Sequence, residues 1–195
     1  MRIVSEAVFK EHKADLEVQL KEAYGKITYT YTAHNKLMNR LEKRYRLIKI
    51  VQIVLSAVST YGFIKSLVTN DAIATWIGGI FAAVLLAMNL YFKEFNLSEK
   101  IAQHGKAADA LWLLREQYIS LLTDLTVLPE DEIMLRRDDL QNRTSEVYKQ
   151  SPKTDAKSYL DAQNALKNDE EQFFAIGELN KMLPSYLRGG SDTDG

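Results

Sequence analysis

Two long stretches with no charged residue in their interiors constrain this chain more than any other feature of its sequence. The first runs from Ile48 to Val68 and the second from Ala72 to Phe92. Each contains 21 residues, and a helix of that length spans about 31 Å, close to the ~30 Å hydrocarbon thickness of a bilayer. The sequence therefore predicts two transmembrane helices. The alternative is a soluble bundle in which these are the two most buried helices.

The ends of the two stretches and the short segment between them fit a tight transmembrane hairpin. The second stretch has no ionisable residue, and the first carries Lys49 and Lys65 near its ends, where long side chains can reach the headgroups. Only Thr69, Asn70 and Asp71 separate the stretches. Asn70 can adopt the left-handed conformation that ends one helix, and Asp71 can cap the next.

The basic residues indicate how the hairpin is oriented. They crowd both outer ends, whereas the connecting segment has none; they are Arg40, Lys43, Arg44, Arg46 and Lys49 before or at the first span, and Lys93, Lys100 and Lys106 after the second. The positive-inside rule then predicts that both termini are cytoplasmic. No signal peptide is visible in the charged first 40 residues, so we expect the first span to act as its own insertion signal.

The residues outside the spans favour helices. From Leu16 to Ile48 apolar residues recur at three- and four-residue steps, which predicts an amphipathic helix that leads straight into the first span. The segment Ile27–Thr32 alternates with period two after Gly25, so a break is conceivable there, but we expect it to be helical because a lone strand would have no partner. A second apolar stripe, from Leu97 to Leu125 and including Trp112, predicts a long helix that packs against the first.

The remaining third of the chain is predicted to form shorter helices. Pro129 suits the first position of a helix that continues to about Lys149 and stops at Ser151. Two further helices are expected over residues 155–166 and 169–183. The predicted organisation is all-α, a transmembrane hairpin continuous with a cytoplasmic helical bundle: 1–47, an N-terminal amphipathic helix; 48–92, the hairpin; 93–128, a long cytoplasmic helix; 129–188, a C-terminal helical subdomain; 189–195, a disordered tail.

The sequence offers no constellation of residues for catalysis. It has no cysteine, which excludes disulfides, thiolate zinc sites and a cysteine nucleophile. The histidines His12, His34 and His104 are far apart in sequence without ligand spacing, so we expect ordinary solvated or packed side chains. No phosphate loop, nucleophile elbow or dinucleotide fingerprint is present. With 25 basic and 26 acidic residues, the net charge also argues against nucleic-acid binding. We therefore expect no enzyme, metal or cofactor.

The first span carries a polar face. Its members recur at three- or four-residue steps; they are Lys49, Gln52, Ser56, Ser59 and Thr60. Polar groups in hydrocarbon must face protein or water. Two interpretations remain equally open: these residues line the pore of an oligomer, or they form hydrogen bonds between helices of a closed bundle.

The second span carries a strip of small residues. Gly79, Ala83 and Ala87 lie in register, with Asn89 on a different face. Such a strip lets another helix approach closely. Because one hairpin supplies only two helices, several copies are needed to enclose a water path. The pattern therefore favours a homo-oligomer in the bilayer.

The architecture and two segments resemble the SLATT family of bacterial two-transmembrane conflict effectors. One segment reads LSEKIAQHGKAADALWLLREQYISLLTDL after the second span, and the other is NKMLPSYLRG at residues 180–189. The resemblance covers residues 16–188 and depends on a diffuse pattern of small and aromatic residues: His104, Ala107, Ala108, Leu111, Leu114 and Tyr118.

The resemblance implies an effector of antiviral defence by abortive infection, located in the bacterial inner membrane. It implies oligomerisation and membrane disruption on a signal from a partner system, either a nucleotide second-messenger synthase or sensor or a reverse transcriptase. The leading hypothesis is therefore a gated pore-forming effector. The alternatives are a passive membrane anchor or scaffold that recruits a cytoplasmic partner, and a small transporter, which the absence of an acidic residue within the spans disfavours.

Overall fold

A computed structural model of the chain describes residues 2–172, 174–175, 177–184, 186 and 188, with side chains from His12 onwards. Over these residues the fold is all-α and contains no strand, which confirms the predicted class. The helices in order are α1 (Arg2–Thr69), α2 (Ala72–Phe95), α3 (Leu97–Asp124), α4 (Glu130–Gln150), α5 (Ala156–Lys167) and α6 (Glu178–Met182).

Helix α1 is a single rod of 68 residues, about 100 Å long at 1.5 Å per residue. It continues through Gly25 and the period-two segment without a break. The threonines there fit the helix because their hydroxyls bond back to the preceding turn: Thr28 Oγ1 donates to Tyr24 O at 2.9 Å, and Thr32 Oγ1 to Thr28 O at 2.9 Å. Burial of Ile27 then stabilises the helix through tertiary packing.

The turn between α1 and α2 has the predicted chemistry. Asn70 adopts a left-handed conformation with φ of 51°. Asp71 caps α2, its carboxylate accepting hydrogen bonds from Ile73 N at 3.0 Å and Ala74 N at 3.3 Å. The chain reverses within these residues, so α2 returns antiparallel alongside α1.

Beyond the hairpin, α3 continues almost directly from α2. A single left-handed residue, Asn96 with φ of 35°, separates them. Helix α3 packs along α1, α4 packs mainly on α3, and α5 packs on α1. We call this assembly of residues 12–47 of α1 with α3, α4 and α5 the head. Its core is an apolar cluster of Leu16, Leu20, Ile27, Leu111, Leu114, Tyr118, Leu121, Leu125, Ile133 and Leu140.

The structure corrects three details of the predicted helices. Trp112 was expected on the packed face of α3 but is 48% exposed, because Leu111 and Leu114 occupy the core and Trp112 lies about 100° around the helix from Leu111. Pro129 caps α4 rather than starting it. A helix over residues 169–183 is wrong: Glu170 and Gly177 adopt positive φ values of 50° and 79°, so only the short α6 forms. The predicted disordered tail lies outside the described residues.

Candidate functional site

The two apolar segments lie almost fully on the surface of the chain. Two helical segments are long and apolar enough to cross a membrane, and only 6% and 11% of their most apolar windows are buried. Large apolar side chains of both segments are exposed on the surface of the chain. Leu67, for example, is 72% exposed and Trp76 is 74% exposed. In a soluble bundle these residues would form the core, whereas here an apolar surface of this extent requires a lipid or protein cover. The soluble-bundle alternative is therefore disfavoured.

Close backbone contact holds the hairpin together. Gly62 on α1 and Gly78 on α2 face each other, with Ala74 one turn before Gly78, and all three are buried. A Cβ placed on Gly62 would lie 3.0 Å from Gly78 Cα and 3.0 Å from Ala74 O. These glycines therefore allow a helix approach that a larger residue would block. Their roles were not predicted, although Ala74, Gly78 and Ala82 also recur at four-residue steps, because such spacing does not show which of two small-residue faces meets the other helix.

Polar contacts join α1 to α2 and its N-cap residue at three levels of the hairpin. At the head-side end, Gln52 Nε2 donates to Asn89 Oδ1 at 2.8 Å. In the middle, Ser59 Oγ donates to Gly78 O at 3.0 Å. At the turn, Lys65 Nζ lies 3.3 Å from Asp71, and burial of that lysine's charge is avoided because it sits at the end of the span.

The predicted polar face is divided between two surroundings. Gln52 and Ser59 contact α2 within the same hairpin. Ser56 and Thr60 are exposed, and the Thr60 hydroxyl donates to Ser56 O at 2.8 Å within α1. Lys49 lies at the head-side end, with its ammonium 5.4 Å from the centre of the Tyr45 ring. Contact between helices thus accounts for Gln52 and Ser59, and a pore-lining role for any residue of this face stays a prediction.

The predicted small-residue strip does not take part in the hairpin contact. Gly79, Ala83 and Ala87 are all exposed, and a Cβ added at Gly79 would meet nothing within 4 Å. Gly79 borders a groove of about 400 Å³ beside the helix pair. Its lining is Ser59, Thr60, Phe63, Thr75, Gly78, Gly79 and Ala82. The exposed hydroxyl of Thr60 on α1 and the start of the strip on α2 therefore share one surface, which we call the hairpin groove.

A buried histidine pair lies in the head. His34 on α1 and His104 on α3 are 2% and 5% exposed, and their Nδ1 atoms are 2.9 Å apart. Burial and repulsion from His104 lower the pKa of His34 from 6.5 to about 4. Burial also lowers the pKa of His104, although the nearby Asp155 carboxylate opposes this shift. At neutral pH both rings are uncharged, so the Nδ1–H of one ring donates a hydrogen bond to the unprotonated Nδ1 of the other.

Arg40 fastens α5 to α1 near this pair. Its guanidinium donates to Asp155 at 2.5 Å and to Asp161 at 3.3 Å. Asp155 also caps α5 by accepting from Ser158 N, and this hydrogen bond together with Arg40 lowers its pKa to about 2. These contacts have no spacing signal in the sequence, since the partners lie more than 100 positions apart. Among the described residues no three His, Asp or Glu side chains cluster closely enough to hold a metal ion.

Comparison with known families settles the relationship. The model of the SMODS and SLOG-associating 2TM effector domain family 4 matches residues 16–178, which include the hairpin, α3, α4 and α5. The chain belongs to this SLATT family. The expected resemblance is thereby confirmed over most of the chain. No curated protein and no solved structure matches it.

Family membership and the exposed spans together indicate a membrane protein. The family is described as an effector domain with two transmembrane segments, and this SLATT chain has two candidate spans joined by a tight turn. It is therefore a membrane effector of conflict systems in contact with the lipid bilayer. The description names an effector and not an enzyme family.

Proposed function

We propose that this SLATT protein is a homo-oligomeric, pore-forming effector of a bacterial defence system that disrupts the inner membrane without catalysing a reaction. Both termini and the head lie in the cytoplasm, where the head receives the signal. The observation that carries this proposal is the hairpin groove. In this groove hydroxyl groups and glycine backbone are exposed. They lie at the level of the spans, where the bilayer offers only hydrocarbon.

The groove supports assembly of several copies. The Thr60 hydroxyl donates its hydrogen bond within α1, to Ser56 O, and the helix surface at Gly79 is open. Exposed small residues allow a helix of a second copy to approach closely, and exposed hydroxyls are favourable where they meet protein or water. A ring of hairpins would satisfy both, with the Gly79 strip at the contacts and the hydroxyls of Ser56 and Thr60 towards the enclosed water.

The head is suited to gate such a ring because α1 runs unbroken from the head into the membrane. A displacement of residues 12–47 relative to α3 would be carried by the same helix to Ser56 and Thr60. A signal opens the pore only if it binds the open arrangement more tightly than the closed one. The partner that provides it is a nucleotide second-messenger synthase or sensor, or a reverse transcriptase system.

Permeability and assembly of a groove variant test this proposal. Gly79→Leu fills the groove at a position where the single chain has room for a side chain. Ala57→Leu is the matched control, since Ala57 is an exposed small residue of the spans that does not line the groove. We expect overproduced wild-type protein and Ala57→Leu to admit propidium iodide into bacterial cells, and Gly79→Leu to leave them sealed.

Native mass spectrometry of the same full-length variants in detergent reports assembly directly. Wild type and Ala57→Leu should form oligomers that Gly79→Leu does not form. Sealed cells with wild-type protein at high membrane density would contradict the pore and favour a passive anchor that recruits a cytoplasmic partner. Unchanged oligomers and dye entry for Gly79→Leu would show that the groove is not the contact between copies.

A further inference from the structure

A second cavity lies between the helices at the head-side end of the hairpin. It has a volume of about 510 Å³ and lies where α1, α2 and the start of α3 meet. This volume is within the ~300–1,000 Å³ range of small-molecule sites. Two of its lining residues show where it lies along the hairpin: Lys49 is near the start of the first span, and Lys93 comes just after the second.

The cavity is lined by positive charge and hydrogen-bond donors and by no acidic residue. Lys49 and Lys93 both line it, and among the described residues neither pairs with a carboxylate. The Tyr45 ring, 5.4 Å away, holds the Lys49 ammonium through a cation–π contact. Since Gln52 occupies the Asn89 carbonyl oxygen, the amide nitrogen of Asn89 remains as a donor. These groups match an anion and not a cation.

The first turn of α3 adds donors to the same cavity. Asn96, Leu97 and Ser98 line it, and Asn96 makes no capping hydrogen bond to this turn. The Asn96 amide instead donates to Glu99, whose carboxylate also accepts from Gln103 at 3.2 Å. The Glu99 carboxylate is therefore held by side-chain amides, and Ser98 adds a residue with a hydroxyl group to the lining of the cavity.

We propose that this cavity binds the phosphate of an anionic phospholipid headgroup. The phosphate would accept hydrogen bonds from Lys49, Lys93 and Ser98. The level of the cavity favours a lipid over free phosphate, because the headgroup phosphates lie at the ends of the spans and the exposed apolar helix faces next to the cavity would contact the acyl chains. A phosphate held there ties α1 to the joint between α2 and α3. This inference does not depend on pore formation.

Lipid retention by the full-length protein tests the site. The delipidated protein in detergent is titrated with dioleoylphosphatidylglycerol, with dioleoylphosphatidylcholine or with inorganic phosphate, and bound adducts are counted by native mass spectrometry. We expect wild-type protein to retain phosphatidylglycerol in preference to phosphatidylcholine. Lys49→Gln with Lys93→Gln should weaken phosphatidylglycerol binding by about fivefold per lysine.

The matched control is Lys43→Gln with Lys100→Gln, which removes the same charge from the same basic region outside the cavity. It should bind phosphatidylglycerol like wild type, as should Lys49→Arg with Lys93→Arg. Circular dichroism checks that each variant is helical. If the variant with both Lys49→Gln and Lys93→Gln is not helical, the single variant Lys93→Gln is used in its place. If both pairs of Lys→Gln substitutions weakened phosphatidylglycerol binding equally, the site would be overturned, because general surface charge would then explain the binding. Equal retention of the two lipids, or displacement of phosphatidylglycerol by equimolar inorganic phosphate, would overturn the lipid assignment.

Discussion

Gly62 and Gly78 face each other across the hairpin so closely that a methyl group on Gly62 would lie 3.0 Å from the α carbon of Gly78. The neighbouring Gly79, by contrast, faces open space. Adjacent glycines in α2 therefore have different roles. Gly78 packs against the other span of the same chain, and Gly79 leaves a surface on which another helix can pack. This difference allows the folding of the hairpin and its assembly to be tested separately.

Gly62→Ala should destabilise the hairpin. The added methyl group would meet backbone atoms of α2, which cannot rotate away as a side chain can, so the helices must separate. Overpacking of this kind costs about 1–3 kcal/mol. The measurement is the free energy of unfolding of the full chain in detergent. Gly79→Ala is the control and should unfold like wild type; equal losses for both variants would contradict the proposed division of roles.

Gln52 and Asn89 should show a measurable coupling energy. Their hydrogen bond of 2.8 Å lies at the head-side end of the spans. Hydrogen bonds between membrane helices contribute about 0.6 kcal/mol on average, with values up to ~1.7 kcal/mol. A double-mutant cycle of Gln52→Leu and Asn89→Leu, followed by unfolding in detergent, measures this value. Strictly additive single effects would show that the bond contributes nothing.

The histidine pair should make the head less stable in acid. The pKa of His34 falls from 6.5 to about 4 on folding, so between these values the unfolded chain binds a proton that the folded chain does not. The free energy of unfolding is therefore not reduced by this histidine above pH 6.5. It decreases as the pH falls towards 4, by up to about 1.4 kcal/mol per pH unit. The unfolding midpoint followed over this range measures the slope, which His34→Gln should reduce. A wild-type profile without slope would contradict the assignment.

Arg40→Gln should loosen α5 from α1. It removes the cation that contacts Asp155 and Asp161. Because both carboxylates are more than 40% exposed, the expected cost is small, about 0.2–1 kcal/mol per pair. Hydrogen–deuterium exchange of the α5 amides should therefore become faster, by up to about fivefold per pair. Lys157→Gln, an exposed change on α5 itself, is the control, and unchanged exchange in Arg40→Gln would exclude the proposed fastening.

The sequence predicted the course of the helices well wherever one local rule applied. The turn was predicted because Asn70 and Asp71 each have a short-range reason to be there, the left-handed conformation and the cap. The helix expected from residue 155 begins one residue later, at Ala156, with Asp155 as its cap. The helix expected over residues 169–183 failed because its apolar spacing did not reveal the left-handed conformation of Glu170.

The partners of individual side chains were predicted less well. The polar face of the first span was identified, but its division between Gln52 and Ser59 on one side and Ser56 and Thr60 on the other depends on the angle at which α2 crosses α1. The periodicity of polar residues shows which of them share a helix face, but it does not show which helix packs against that face. The contact between His34 and His104 joins positions 70 apart and leaves no trace in the spacing of either.

What the sequence determined by itself is that this chain is helical and enters the membrane as a hairpin, because hydrophobic length, helix capping and charge at the helix ends are local properties. Only the tertiary structure decided which small residues close the hairpin, which hydroxyls remain uncovered, and which lysines meet at a shared cavity. Those outcomes depend on how two helices are rotated against each other, and a rotation of one residue, about 100°, exchanges a buried glycine such as Gly78 for an exposed one such as Gly79.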